Sequence, residues 1–290
     1  MNLKIIVLAK QVPDTRNVGK DAMKADGTVN RAALPAIFNP EDLNALEQAL
    51  QIKEDNPGTT ITLLTMGPPR AADIIREGLF RGADGGYLLT DRAFAGADTL
   101  ATSYALSCAI KKIGDFDIII SGRQAIDGDT AQVGPQVAEK LNIPQITYAE
   151  EVTEIKDGAI TIKRRIEKGI EVVKAKFPVL ITVNGTAKEC RPRNAKLLQK
   201  YKHAKTISEQ INLDEDYLNL YSIRPELVLP EWNTKDVDAN LVECGLSGSP
   251  TKVKKIENIV FHAKESKRIG SSDAEIEELI VELITNHTIG

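Results

Sequence analysis

"IIISGRQAIDGDTAQVGPQVAEKL", Ile118 to Leu141, sets three kinds of structure end to end. Ile118, Ile119 and Ile120 form a continuous apolar run, the pattern of a parallel strand covered on both faces. Val133, Val137, Ala138 and Leu141 then recur on one helical face. Between the two, Ile126 is the only large apolar residue. A helix starting at Asp129 would carry Pro135 in its interior, where a missing N–H and a ring clash cost roughly 3 kcal/mol. Regular helix is therefore expected to begin near Gln132 or Val133, with Pro135 in its first turn. That leaves the backbone amides from Gln124 to about Gly134 without internal partners. Successive N–H groups ahead of a helix form an anion site, so a phosphate or pyrophosphate is the expected guest. Gly122, Gly128 and Gly134 would let the backbone approach it, with Thr130 and Gln132 as neutral donors. The plainer reading has Asp127 and Asp129 building a turn and capping the helix.

Outward from this stretch, further apolar runs, "LKIIVLA" from Leu3, "TITLLTM" from Thr60 and "GYLLT" from Gly86, alternate with helical patterns. Leu43, Leu46 and Leu50 follow "NPED"; Leu100, Tyr104 and Cys108 follow "GADT". Strands alternating with helices predict a doubly wound, mostly parallel α/β sheet, with its ligand in the crevice outside the carboxyl ends of the strands. From about residue 150 to 183, β-rich runs separated by Asp157-Gly158 and Lys168-Gly169 predict an antiparallel meander at one sheet edge. Two parts are expected: residues 1–185 as the nucleotide-binding domain, and 186–290 as a partner-recognition loop and extended C-terminal arm. Ile276, Leu279, Ile280, Leu283 and Ile284 make the arm's last helix amphipathic, to pack on its own domain or to dock on another subunit.

A chain of 290 residues with a formal charge of −4 carries no general electrostatic grip on nucleic acid or anionic membranes. No apolar window is long enough to span a bilayer. Cys108, Cys190 and Cys244 are isolated, which fits a cytoplasmic chain and encodes neither a disulfide framework nor a metal site. The N-terminus reads as a first strand, without the long apolar region of a signal peptide. His203, His262 and His287 all lie beyond the α/β part, so no catalytic side chain and no metal-ligand set is expected there. Chemistry would belong to a bound cofactor. Neither a G-x-G-x-x-G turn nor a P-loop occurs.

Asn39, before Pro40, Glu41 and Asp42, is either a helix cap or a crevice residue that hydrogen-bonds a nucleotide. Thr65 and Met66 end a strand, where their backbone could read an adenine edge. Asp98 is most simply an N-cap. The run Phe94 to Ala97, small and Gly-bearing between two polar pairs, suits a flat ring. "CRPRNAKLL" at Cys190 mixes two arginines with leucines, a candidate protein-contact loop.

Taken together, "LAKQVPDT", "NPED", "TMGPPRAADIIREGLFRGAD", "TDRAFAGADTLAT" and "SGRQAIDGDTAQVGPQVAEKL" resemble the β (small) subunit of electron-transfer flavoproteins, and "GLSGSPTKVKK" resembles its tail. The resemblance implies a heterodimer with a larger, FAD-carrying α subunit. In single-flavin members the β subunit holds structural AMP; in bifurcating members FAD takes that place, its flavin reaching toward "DRAFAGADT". This chain has that segment in full, so the FAD-binding, bifurcating type is expected, with the single-flavin carrier as the alternative. By position, Leu8, Ala9 and Lys10 would line the crevice, and Asn39, Thr65 and Met66 would bound the adenine and ribose. Gly122, Arg123, Gln124, Ala125, Ile126, Asp127, Gly128, Asp129, Thr130, Ala131, Gln132, Val133 and Gly134 would hold the phosphates. Asp91, Phe94 and Thr99 are the flavin-side candidates. Arg191, Arg193 and Leu197 fall in the loop that resembles the family's partner-recognition loop. NADH would be the electron donor, with ferredoxin or flavodoxin as one acceptor. The other would be a dehydrogenase acting on an acyl-CoA, an enoyl-CoA of the acrylyl type, or lactate.

Overall fold

In the computed structural model, which describes residues 2–14, 35–211, 213, 215–251 and 268–286, the opening run becomes strand β6, Ile118–Gly122, buried at all five positions. It pairs in parallel with β1 (Lys4–Leu8), Ile5 opposite Ile118. On the other side of β1 lies β4 (Thr60–Met66), followed by β5 (Gly85–Leu89), both parallel. The helices between these strands divide between the faces. Helix α1 (Pro40–Asp55) and α2 (Ala72–Arg81) cover Ile5, Val7, Leu63, Ile118 and Ile120. Helix α3 (Thr99–Ile113) and α4 (Val133–Leu141) cover Ile6, Leu8, Leu64 and Ile119. Each strand thus buries alternate side chains on opposite faces, which is why its sequence is a continuous apolar run. A fully buried Ile contributes roughly 1.5–3 kcal/mol over an exposed one. The expected doubly wound sheet is present, and its winding reverses between β1 and β6.

The meander is also present: β7 (Gln145–Lys156), β8 (Ala159–Ile166) and β9 (Gly169–Lys176) pair antiparallel. Asp157 and Gly158 both have positive φ, 53° and 72°, as a two-residue hairpin turn requires. The run to residue 183, read as the end of the meander, behaves differently. Strand β10 (Val179–Val183) inserts between β6 and β7, parallel to both and wholly buried. "VLITV" lacks polar alternation because both its faces are covered.

The described residues between 186 and 251 pack on the first part of the chain rather than extending from it. One compact unit runs from Met1 to Lys254, and a second covers Lys255–Gly290. Tyr201, Ala204, Tyr221, Leu227 and Leu229 are buried within the first unit's core. A two-residue strand, Glu231–Trp232, extends the sheet beyond β5, and Trp232 stacks on Tyr87 with ring centroids 4.0 Å apart. Of the second unit the structure describes the expected terminal helix, Asp273–Thr285. Its Ile276, Ile280 and Ile284 are exposed. His262 and His287 lie outside the described residues.

Candidate functional site

The crevice at the reversal of winding is bounded by Leu8, Ala9 and Lys10 after β1 and by the loop after β6. The first turn of α1 clamps both. Asp42 accepts the N–H of Lys10 on one carboxylate oxygen (2.8 Å) and the N–H of Gly122 on the other (2.9 Å). Glu41 accepts the N–H of Gln124 (2.9 Å) and a guanidinium N–H of Arg123 (2.9 Å). Asn39 is fully buried; its amide donates to the Gln124 carbonyl (2.9 Å) and accepts the N–H of Ile126 (3.2 Å). It occupies the position before Pro40 but makes no side-chain cap bond, so neither of its expected roles describes it: it holds the loop. Burial pushes the Asp42 carboxyl up to about 7, against the hydrogen bonds from Lys10, Asn39 and Gly122 that pull it down. The sequence showed these acids only as helix-start residues, because their partners lie some eighty residues away.

Helix α4 begins at Val133 with Gln132 before it, as expected. The amides divide into two sets. Those of Gln124, Ile126, Gly128 and Asp129 are bonded internally, contrary to the expectation for the whole stretch. The five consecutive N–H groups from Thr130 to Gly134 donate to no acceptor among the described residues. Ala131 is left-handed (φ 52°) and Gln132 right-handed (φ −106°, ψ −27°), an alternation that turns successive N–H groups inward into an anion-binding concavity. A left-handed conformation costs a non-glycine residue on the order of 1–2 kcal/mol and is characteristic of ligand sites.

The three glycines have different reasons. A Cβ on Gly122 would lie 2.5 Å from an Asp42 carboxylate oxygen and 2.7 Å from the Glu41 carbonyl carbon, and one on Gly134 would lie 2.6 Å from the Thr182 methyl. Both therefore serve packing, and only Gly128 faces open space. Lys10 reaches across the crevice to Asp127 (2.8 Å). Thr65 and Met66 continue β4 past the last rung with β1, Leu8 opposite Leu64. The buried hydroxyls of Thr65 and Ser121 have no hydrogen-bond partner among the described residues.

Thr99, at the start of α3, donates to Gln132 (3.0 Å) and accepts from Gln136 (3.3 Å), bringing a second helix N-terminus to the loop. Asp98 caps α3 as expected and also binds the Thr251 N–H (3.1 Å) and hydroxyl (2.7 Å). Gly245 packs so closely that a Cβ would lie 2.2 Å from the Ala93 carbonyl oxygen. The "DRAFAGADT" and "GLSGSPT" segments thus form one structure. Within it Asp91 binds Ala93 and Thr234, and Phe94 is buried in the core. Both are committed to packing rather than to the crevice.

A family model described as "Electron transfer flavoprotein domain" matches residues 26–208. The chain belongs to the electron transfer flavoprotein family. It is similar to the Caffeyl-CoA reductase-Etf complex subunit CarD of Acetobacterium woodii, 42% identical over 253 residues, covering 87% of this chain and 86% of that one. It is 45% identical over 260 residues to an electron transfer flavoprotein subunit beta of Megasphaera elsdenii, with 88% and 87% covered. An acryloyl-CoA reductase electron transfer subunit gamma of Anaerotignum propionicum is 41% identical over 290 residues, with 99% and 100% covered. Electron transfer is the family's work, and the beta naming of relatives implies an α-subunit partner. Among the described residues no helix is long and apolar enough to cross a membrane.

The loop that resembles the family's recognition loop is held by its own domain. Arg191 binds Glu47 through its N–H (3.1 Å) and guanidinium (2.9 Å) and also pairs with Glu54; Arg193 binds Glu77. Leu197, on the helix Ala195–Tyr201, is partly buried against the core. Leu50, Leu197 and Pro192 line a groove here, rimmed by Arg81, Arg191 and Arg193. Tyr148 was not anticipated. It adopts φ 58° at a bulge where β7 spans four residues, Ile146 to Ala149, against three of β10, and it is 40% exposed with its ring beneath the Arg123 guanidinium. Bulges re-aim side chains beside sites, but β7's sequence carries no mark of this one.

Proposed function

We propose that this chain is the β subunit of an electron-bifurcating flavoprotein and binds FAD in the crevice between β1 and β6. The observation that carries the reading is the row of five unpaired N–H groups, Thr130 to Gly134, with the inward turn at Ala131 and Gln132. These groups, with Lys10 and the open space at Gly128, fit a pyrophosphate. Leu8, Ala9, Thr65 and Met66 would bound the adenylate. Thr99, which shares Gln132 with the loop, is the retained candidate on the flavin side. When bound, the flavin would supply hydride acceptance from NADH and single-electron transfer; the chain's part is to bind, orient and set the electrostatics around it.

The α subunit is the partner in a heterodimer. One electron would go to ferredoxin or flavodoxin, and the other through the α subunit to a dehydrogenase. The names of the relatives, caffeyl-CoA and acryloyl-CoA reductase complexes, favour an enoyl-CoA substrate over lactate or a saturated acyl-CoA. The complex would work in the cytoplasm.

The alternative is a single-flavin carrier with AMP in this subunit. The placement of Asp91 and Phe94 in packing favours it, since it leaves Thr99 alone of the three flavin-side candidates at the loop. Co-purification with the α subunit and extraction of nucleotides separates them. Two FAD per heterodimer supports bifurcation; one FAD with one AMP refutes it.

A further inference from the structure

Among the groups around the crevice, one buried carboxylate has no role in contacting a ligand. Asp42 is 6% exposed and joins the two chain ends that form the crevice walls, Lys10 N–H at 2.8 Å and Gly122 N–H at 2.9 Å. Gly122 is glycine because a Cβ there would strike this carboxylate. The wall beyond Gly122 leads, through Gln124 on Glu41 and Ile126 on Asn39, to the unpaired amides. An ionised carboxylate accepts both N–H groups at once. A protonated one carries an O–H on one oxygen, which becomes a weak, uncharged acceptor, so the hold on one wall loosens.

We propose that Asp42 is a positioning residue whose ionised form sets the spacing of the two crevice walls, so that adenine-nucleotide binding and the Asp42 proton oppose each other. The inference rests on the nucleotide reading above. The charges that face Asp42 are few and already engaged. Lys10 supplies a favourable ammonium but is paired to Asp127, and Glu41, its neighbour on α1, is neutralised by Arg123. Asn39 contributes a neutral hydrogen bond. Among the described residues no second cation stands against the carboxylate to hold it ionised, and burial already raises its affinity for a proton to where this switch would operate near neutral pH.

The test titrates AMP into the full-length chain between pH 6 and 8.5, comparing wild type with Asp42→Asn, which keeps the shape and removes the charge. The AMP phosphate itself titrates near 6, at about the second phosphate pKa, so the ratio of the two proteins' affinities isolates Asp42. Wild-type affinity, relative to Asp42→Asn, is expected to fall by up to about tenfold per pH unit below 7. Parallel pH profiles overturn the inference and leave the nucleotide reading standing. Absence of AMP binding by wild type at every pH overturns both. Should Asp42→Asn not fold, the carboxyl-carbon resonance of Asp42 in wild type decides: its titration midpoint moves down on saturation with AMP, and an unmoved midpoint overturns the inference.

Discussion

Two glycines six residues apart in one loop should respond to substitution in opposite ways. At Gly122 an added methyl meets the Asp42 carboxylate at 2.5 Å, the Glu41 carbonyl carbon at 2.7 Å and the Asp42 nitrogen at 2.8 Å. Two of the three are helix backbone, which cannot rotate away. Overpacking costs about 1–3 kcal/mol, and displacing α1 weakens the Gly122 bond to Asp42, a charged hydrogen bond worth about 1.5–3 kcal/mol. Gly122→Ala should therefore cost about 3–5 kcal/mol, which lowers Tm by roughly 10 °C or more in a unit of this size. At Gly128 no atom lies within 4 Å and φ is outside the left-handed region. Gly128→Val should leave stability within about 0.5 kcal/mol and yet deplete bound nucleotide, because its side chain enters the space assigned to phosphate. Thermal unfolding of the nucleotide-free proteins and nucleotide content after purification measure the two effects separately. Normal nucleotide content in Gly128→Val would refute the phosphate assignment. A Tm loss in Gly128→Val equal to that of Gly122→Ala would refute the packing argument.

The remaining predictions concern the loop's neighbours. Arg191→Met should destabilise by about 3 kcal/mol in denaturant unfolding, since it leaves the Glu47 carboxylate, 2% exposed, with Lys188 at 3.8 Å as its cation and only the backbone N–H of residue 191 kept from the lost pair. Burial pushes the Glu47 carboxyl up, but the Arg191 guanidinium and N–H outweigh it and hold it below the usual carboxylate range. With the folded pKa lowered, this stabilisation is present above the unfolded pKa and is lost as pH falls through the folded one; Arg191→Met should flatten that part of the acid slope. Thr99→Val removes the hydrogen bonds to Gln132 and Gln136 and should cost about 1 kcal/mol of unfolding free energy, while weakening FAD more than AMP in equilibrium binding. Equal weakening of both would remove Thr99 from the flavin side.

Much of the sheet was legible because burial on both faces leaves a simple trace. "LKIIVLA", "TITLLTM" and "FDIIISG" could hardly be anything but covered strands, and Pro135 placed the start of α4 by its missing N–H. Other features leave no such trace. β10 follows the meander directly in the chain, and although "VLITV" lacks the meander's charges, its place between β6 and β7 comes from pairing with strands distant in sequence. Residues 186–251 are built from pieces of two to nine residues, too short for periodicity, and are held by single anchors such as Tyr221 and Trp232. In the site, the start of α4 after a run of loop amides could be read from Pro135. What could not be read was which amides are already taken, because their acceptors, Asn39 and Glu41, belong to a different βα unit. The contacts of Asp91 and Phe94 were hidden for the same reason: Thr234 and the core face that Phe94 joins are distant in sequence.

The position of β1 at the middle of the sheet has a consequence for synthesis. Its rungs join Ile5 to Ile61 on one side and to Ile118 on the other. A nascent chain therefore carries this central strand half-paired until more than a hundred residues have been made, with Asp42 awaiting the backbone of Gly122. Parallel pairing of this kind is slow, because loop closure precedes its reward. The last partner to arrive at the centre of the fold, β6, is also the one that completes the crevice, so the chain cannot acquire its ligand site before its core.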